Sequence, residues 1–281
     1  MARSGDGLIA AARRRFAREM AGGDTALEAA FAAVPREAFL GPAPWRVIAG
    51  GRLVERPVED AAGLYRNVLV VIDRMRGINN GEPALHAAWL QAVHPRPGEH
   101  VVQVGAGTGY YTAIMAELVR PGGHVLAFET EPDLAARAAA NLAGAADIEI
   151  RAADATRAAL PACDVLYVNA GLGAPPVSWL DALSPGGRLI FPWRPLPQAG
   201  VALLVERRAG GFAAKALMPS WFIACAGPPV DPIQPLADPE AAWRVQSVWR
   251  THEREPDDSA LAVYSGVWFS DRAIRDREHE G

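Results

Sequence analysis

The chain has 281 residues, half of them apolar, with two cysteines, a formal net charge of −4 and a pI near 5.9. That is enough apolar sequence to bury a sizeable core in one large domain or two, and the acidic balance argues against the basic footprint of a nucleic-acid binder. Two cysteines are too few for a disulfide framework, and no run approaches the roughly 18 uninterrupted apolar residues of a membrane-spanning helix.

The first expected element is a helix on which Leu8, Ala12, Phe16 and Met20 recur every four residues as one apolar face. The stretch LIAAA is too short for a secretory signal and ends in Arg13, Arg14 and Arg15, so a cytoplasmic location is expected and the arginines are read as a solvated face. Gly22 and Gly23 stop this helix. Thr25 is placed to cap the next, in which Leu27, Phe31 and Val34 share a side before Pro35 ends it. Gly50, Gly51 and Pro57 argue for loops, and Val68 to Ile72 is a candidate strand. In GINNGEPALHAAWLQAV, Pro83 suits a first helical position, Asn80 or Gly81 can cap, and Leu85, Ala88, Trp89 and Ala92 form the apolar face. His86, beside that face, reads as a packed histidine.

The stretch Val101 to Thr112, VVQVGAGTGYYT, then reads as strand, tight turn and helix, with Gly105, Gly107 and Gly109 where the backbone must turn sharply and approach a ligand closely. The helix Tyr110 to Leu118 aims its free N–H groups back at that ligand. After the turn Arg120 to Gly123, a strand His124 to Phe128 ends in Glu129, placed to accept hydrogen bonds from both hydroxyls of a ribose. A third strand, Asp147 to Arg151, leads to Asp154 in AADAT, whose carboxylate can accept from an adenine amine. Gln103, Gly105, Ala106, Gly107, Thr108, Gly109, Tyr110, Glu129, Thr130, Asp154, Ala155 and Asn169 are the expected cofactor-binding residues. Asn169, which ends the apolar strand Asp164 to Ala170, faces the cofactor or the substrate, or caps a turn. Both NAD and S-adenosylmethionine carry adenosine, but the dinucleotide fingerprint needs a glycine where this chain has Tyr110.

Val201 to Arg207 and Phe212 to Met218, joined by Ala-Gly-Gly, read as a hairpin closing a sheet of about seven strands. Beyond PPVDPIQPLADP, Ala241, Val245 and Val248 suggest one more helix, and LAVYSGVWF one more strand. Trp243, Trp249 and Trp268 read as packing residues, and Cys163 as a small apolar residue opening a core strand.

The glycine loop and LSPGGRLI resemble class I S-adenosylmethionine-dependent methyltransferases. Within them, ALEAAFAAVPREAFLGP, EPALHA and FETEPDL in this order resemble the protein-L-isoaspartate O-methyltransferase family over about Ala26 to Gly227. The resemblance implies an α/β, doubly wound, mostly parallel seven-stranded Rossmann-like sheet. Residues 1–90 form its helical lid and substrate side, 91–227 the S-adenosylmethionine-binding core and 228–281 an extension packed on it. It also implies methyl transfer to a protein or peptide carboxylate, without nucleic acid or membrane. A carboxylate is ionised at pH 7 and attacks a sulfonium methyl without a general base, so neither a covalent nucleophile nor a metal is needed.

Two positions depart from the family. Where it has Ser or Thr two residues before Pro83, thought to hold the substrate carboxylate, this chain has Gly81; the amides of Asn79 and Asn80 are the candidate replacements, and Gly81→Ser is expected to raise activity on isoaspartyl peptides. Where it has an acid, this chain has Gln103, which keeps an acceptor and loses a charge. Two further readings stay open on this fold: a methyltransferase with a dedicated peptide or small-molecule acceptor, and a non-catalytic cofactor-binding module that recruits a partner.

Overall fold

In the computed structural model, residues 2–49, 55–227 and 230–274 are described; the loop expected at Gly50 and Gly51 lies outside them. Contacts divide the chain into two units, Met1–Gly98 with Ala106–Ala127 and Glu131–Ala152, and Glu99–Gly105 with Phe128–Thr130 and Ala153–Gly281.

In the first unit, α1 (Ala2–Ala21) ends at two glycines with positive φ, and α2 (Thr25–Ala33) follows. Phe16 meets the Phe31 and Tyr65 rings edge-on at 5.7 Å, and Ala12 and Met20 are buried beside it, whereas Leu8 is 67% exposed: the apolar stripe outruns the surface available to cover it. The cap of α2 is Asp24 rather than Thr25, its carboxylate accepting from the Leu27 N–H at 3.0 Å. After a 3₁₀ turn at Arg36–Phe39 come β1 (Trp45–Ala49), β2 (Glu55–Val58), a second 3₁₀ turn at Ala61–Leu64, β3 (Val68–Asp73) and β4 (Ile78–Asn79), in the sheet order β2-β1-β3-β4. Pro57 sits in a strand, against the loop expectation, because β2 is an edge strand where a missing N–H costs no ladder bond. Leu40, Val47, Leu64, Val68 and Val70 form a small apolar cluster under this sheet.

Helix α3 (Pro83–Val93) has Pro83 at its first position, but the cap residue is Glu82, whose side chain makes no capping bond and accepts from Asn67 Nδ2 instead, and neither Asn80 nor Gly81 caps it. Its buried face is Pro83, His86, Ala87, Trp89, Leu90 and Val93; of the expected stripe Trp89 is fully buried, while Leu85, Ala88 and Ala92 are half-buried and His86 turns inward.

The remaining elements are β5 (His100–Val104), α4 (Tyr110–Val119), β6 (His124–Glu129), α5 (Pro132–Asn141), β7 (Ile148–Ala152), β8 (Cys163–Val168), α6 (Val177–Ala182), β9 (Leu183–Leu196), β10 (Ala199–Arg208), β11 (Gly211–Pro219), β12 (Ser247–Arg250), β13 (Ala260–Val263) and β14 (Val267–Ser270). The larger sheet has the order β13-β14-β12-β11-β10-β9-β8-β5-β6-β7. Within the second unit β8 pairs parallel with β5 and β9, and its centre, Val165 to Val168, is wholly buried, as a strand covered on both faces must be. From β9 onward the pairing is antiparallel, beginning with the expected β10–β11 hairpin. This is a mixed, Rossmann-like α/β sheet with seven core strands, β7 through β11 in spatial order.

The extension adds three strands rather than a helix and a strand. Ala241 lies in a 3₁₀ turn (Pro239–Arg244), while Val248 lies in β12, opposite Phe212 of β11. The four-residue apolar spacing is equally served by a short turn running into a strand. Trp268 is fully buried, Trp249 stacks on it at 6.3 Å, and Phe269 stacks on Trp193 of β9 at 4.3 Å. Trp243 does not pack as expected and is 43% exposed. Cys163 opens β8 fully buried, and burial pushes its thiol up to about 12.

Candidate active site

In the second unit, Gly105 follows β5 with φ +81°, and a Cβ there would come within 3.3 Å of Asn169 Cβ. The Asn169 Nδ2 donates to the Gly105 carbonyl at 2.9 Å, and its backbone N–H donates to the Val104 carbonyl at 2.8 Å, which clamps the carboxyl ends of β5 and β8 together. Asn169 Oδ1 is buried and accepts no hydrogen bond among the described residues. Such an orphaned acceptor is costly unless a donor arrives from outside the chain. Gln103, fully buried in β5, approaches the Gly105 carbonyl with its Nε2 at 3.4 Å.

The Gly105 N–H donates to the Phe128 carbonyl, and the Ala153 N–H to the Glu129 carbonyl at 3.0 Å. These bonds draw Glu129, 7% exposed, and Asp154 to the same edge as Gly105 and Asn169. One oxygen of Asp154 is committed to its own turn, accepting from the Thr156 N–H and hydroxyl at 2.9 and 2.7 Å; the other lies 3.5 Å from Arg157 Nε. Thr130 follows Glu129, and Ala155 is held by its carbonyl, which accepts from the Trp179 indole at 3.0 Å. In an open α/β sheet the carboxyl ends of the strands are where ligands bind. Two carboxylates, an orphaned amide oxygen and glycine backbone at that edge are the acceptor set that an adenosine carrying a cationic amino-acid tail requires.

In the first unit, Gly107 has open space where a Cβ would stand, and Gly109, at φ +93°, caps α4. Ala106 and Thr108 are buried; the Thr108 hydroxyl has no hydrogen-bond partner among the described residues, while its carbonyl accepts from Asn141 Nδ2. Tyr110 and Tyr111 open α4. Tyr110 meets Phe39 edge-on, and Tyr111 stacks on His86 at 3.6 Å while its hydroxyl donates to the Gly81 carbonyl at 3.3 Å. Residues Asn79 to Gly81 are thereby brought to the start of α4.

Asn79 Oδ1 turns back to accept from the Gly81 N–H at 3.0 Å, a local turn bond on an exposed side chain. Asn80 is 7% exposed, and its Oδ1 accepts from Arg36 Nε at 3.2 Å. Gly81 has φ +43°, and a Cβ there would fall 2.3 Å from His86 Nε2 and 3.1 Å from a Tyr111 ring carbon. A side chain at position 81 would have to displace that buried imidazole, which opposes the gain expected from Gly81→Ser. Burial, with a smaller contribution from the Arg36 charge, depresses His86 to about 3, which keeps it neutral.

Arg36 is the residue that sequence reasoning passed over. It lies in the VPREAF segment quoted above, where an arginine among apolar residues was the available signal. It is fully buried, and its guanidinium donates to the carbonyls of Leu64 (2.9 Å), Arg66 (3.4 Å), Val68 (2.7 Å), Asn80 (3.4 Å) and Gly81 (3.4 Å). Among the described residues no group of three or more His, Cys, Asp or Glu has the arrangement of a metal site.

The strand, glycine loop and helix, with acidic residues ending the next two strands, define the Rossmann-like fold of class I S-adenosylmethionine-dependent methyltransferases. A solved protein-L-isoaspartate O-methyltransferase shares that fold, with a TM-score of 0.65 and 23% identity over 76% of this chain and 66% of that one. A Plasmodium falciparum structure in complex with S-adenosyl-L-homocysteine superposes with a TM-score of 0.61 and 17% identity over 76% of this chain and 98% of that one. The chain belongs to the protein-L-isoaspartate(D-aspartate) O-methyltransferase family, whose model matches residues 50–228.

Relatives named protein-L-isoaspartate O-methyltransferase include one from Methanopyrus kandleri, 37% identical over 42% of this chain and 54% of its own length. One from Aeropyrum pernix is 35% identical over 50% and 56%, and one from Rhodopseudomonas palustris 34% identical over 60% and 70%. The matched part of this chain thus spans little more than half the length of the first two.

Proposed function

We propose that this chain is an S-adenosylmethionine-dependent O-methyltransferase that esterifies a protein or peptide carboxylate, with isoaspartyl peptides as the first acceptor class. The observation that carries the reading is the edge of the second unit, where Glu129, Asp154 and the unpartnered Asn169 Oδ1 gather beside Gly105. Glu129 would take the ribose hydroxyls, the Asp154 oxygen not committed to its own turn the adenine amine, and Asn169 Oδ1 the ammonium of the methionyl tail. Gly105 would admit the cofactor close to the backbone. The cofactor supplies, when bound, a methyl group activated by a positive sulfur. The chain's task is then to present the acceptor carboxylate in line and to exclude water, since an ionised carboxylate needs no proton removed. The loop Asn79–Asn80–Gly81 is the acceptor-holding segment in this reading, and Asn80 the residue whose amide nitrogen reaches the carboxylate.

Residues 1–90 would supply the acceptor side, 91–227 the cofactor core and 228–281 a structural extension. A cytoplasmic location goes with this reading, supported by Cys163 and Cys225 both being free; among the described residues no helix is long and apolar enough to cross a membrane. One observation favours a second reading, a dedicated peptide acceptor: a side chain at position 81 would collide with His86 in this chain. Incubation with methyl-labelled S-adenosylmethionine and an isoaspartyl peptide, beside its ordinary aspartyl counterpart, tests the proposal. Base-labile label on the isoaspartyl peptide alone is expected. Cofactor binding with no label on either peptide transfers support to the dedicated acceptor, and calorimetric binding of NAD in place of S-adenosylmethionine removes the methyltransferase assignment.

A further inference from the structure

We infer that Arg36 is a positioning residue for acceptor binding, which orients the Asn80 amide and supplies the buried positive charge that makes the loop select a carboxylate over its methyl ester. The inference rests on the reading of Asn79–Gly81 as the acceptor-holding loop. Its first support is that Arg36 can only donate: a guanidinium has no acceptor, so the Asn80 atom facing Nε at 3.2 Å must be the amide oxygen. That bond turns the Asn80 Nδ2 donor the other way, and no hydrogen bond among the described residues engages it. The Asn80 backbone is held as firmly, since its N–H donates to the Val70 carbonyl at 2.8 Å and its carbonyl accepts from Arg36 Nη2.

The second support is the charge. A fully buried guanidinium is ordinarily paired with a carboxylate, because an unpaired buried cation is costly. The hydrogen-bond partners of the Arg36 side chain are five carbonyls and one amide oxygen, all neutral. Glu37, its neighbour in sequence, accepts from the Tyr65 hydroxyl instead. The dipoles, with the Tyr110 ring 5.9 Å from the guanidinium carbon, make the cation tolerable, and among the described residues no carboxylate is hydrogen-bonded to it where it touches the loop that would take the acceptor. A carboxylate on Asn80 Nδ2 supplies the missing negative charge; the methyl ester does not. Substrate is therefore held and product released by the same side chain, without any group that titrates at neutral pH.

The test compares wild type, Arg36→Lys and Asn80→Ala in the presence of S-adenosyl-L-homocysteine. Each is titrated calorimetrically with an isoaspartyl hexapeptide and with the same peptide as its methyl ester. Wild type is expected to favour the carboxylate at least tenfold. Arg36→Lys loses the fork that orients the amide, and Asn80→Ala leaves the five carbonyl bonds of Arg36 in place. Both should weaken carboxylate binding tenfold or more while ester and S-adenosyl-L-homocysteine affinities stay within about twofold. Equal losses for carboxylate and ester, or no loss in folded variants, overturn the inference and leave Arg36 as structural support alone. Wild type that binds S-adenosyl-L-homocysteine but neither peptide overturns the acceptor reading, and with it the role assigned to Arg36.

Discussion

Gly81 shows how one missing side chain reorganises its neighbours. The left-handed backbone at φ +43° and the His86 ring 2.3 Å from a would-be Cβ both oppose substitution, and a shift of the ring would disturb its stacking on Tyr111. Gly81→Ser is expected to lower the melting temperature, by an amount equivalent to about 1–3 kcal/mol, without gain in turnover on isoaspartyl peptides; thermal melts and the labelled-methyl assay read both. His86 carries a pH dependence whose sign is fixed by its depression to about 3. Between the ordinary imidazole value of about 6.5 and that lower limit, the unfolded chain binds a proton that the folded chain refuses, so stability falls on acidification, by up to about 1.4 kcal/mol per pH unit. Denaturant melts from pH 7 to pH 4 should show this slope as the difference between wild type and His86→Leu, the variant lacking it. Glu129→Ala should weaken S-adenosylmethionine binding by about 1–3 kcal/mol through loss of charge-assisted ribose bonds, as measured by calorimetry. An unchanged affinity would remove Glu129 from the site and leave the rest of the edge standing.

The strands of the extension are the elements whose role is most open to a direct test. β12 continues the sheet from β11 through Phe212–Val248 and Ala213–Ser247, and β14 and β13 follow it outward. Behind them, the Ser259 and Ser270 hydroxyls bond at 2.7 Å, and Trp268 donates its indole N–H to the Arg254 carbonyl at 2.8 Å. Removing residues 228–281 would expose the inner face of β11 and the long hairpin it forms with β10, an unpaired edge of the kind that drives association. The truncated chain is expected to aggregate or elute as oligomers in size-exclusion chromatography. A monomeric truncation that still binds S-adenosylmethionine would show the three strands to be dispensable for the fold.

Across the whole chain, the features legible in sequence are those with a local physical cause. The glycine loop between β5 and α4 could be placed because a turn of left-handed residues after an apolar strand has few other solutions. The burial of β8 follows from an unbroken apolar run, and the β10–β11 hairpin from two apolar runs around glycines. Less local features were misplaced. The apolar spacing of α3 points to Leu85, Ala88, Trp89 and Ala92, and Trp89 and the packed His86 are buried as expected while the other three are only half-buried, because which side of a weakly amphipathic helix faces inward is decided by what stands opposite it. Val248 was assigned to a helix and belongs to a strand, because its partner Phe212 lies 36 positions away (248 − 212) in β11. Arg36 went unassigned for the same reason. Its environment is five carbonyls contributed by residues 64 to 81, and the direction in which a distant carbonyl points is set by the paths of β3 and the loop before α3. Backbone conformation and hydrophobic period are written into short stretches of chain, whereas the field around a buried charge exists only once remote segments have been folded against it.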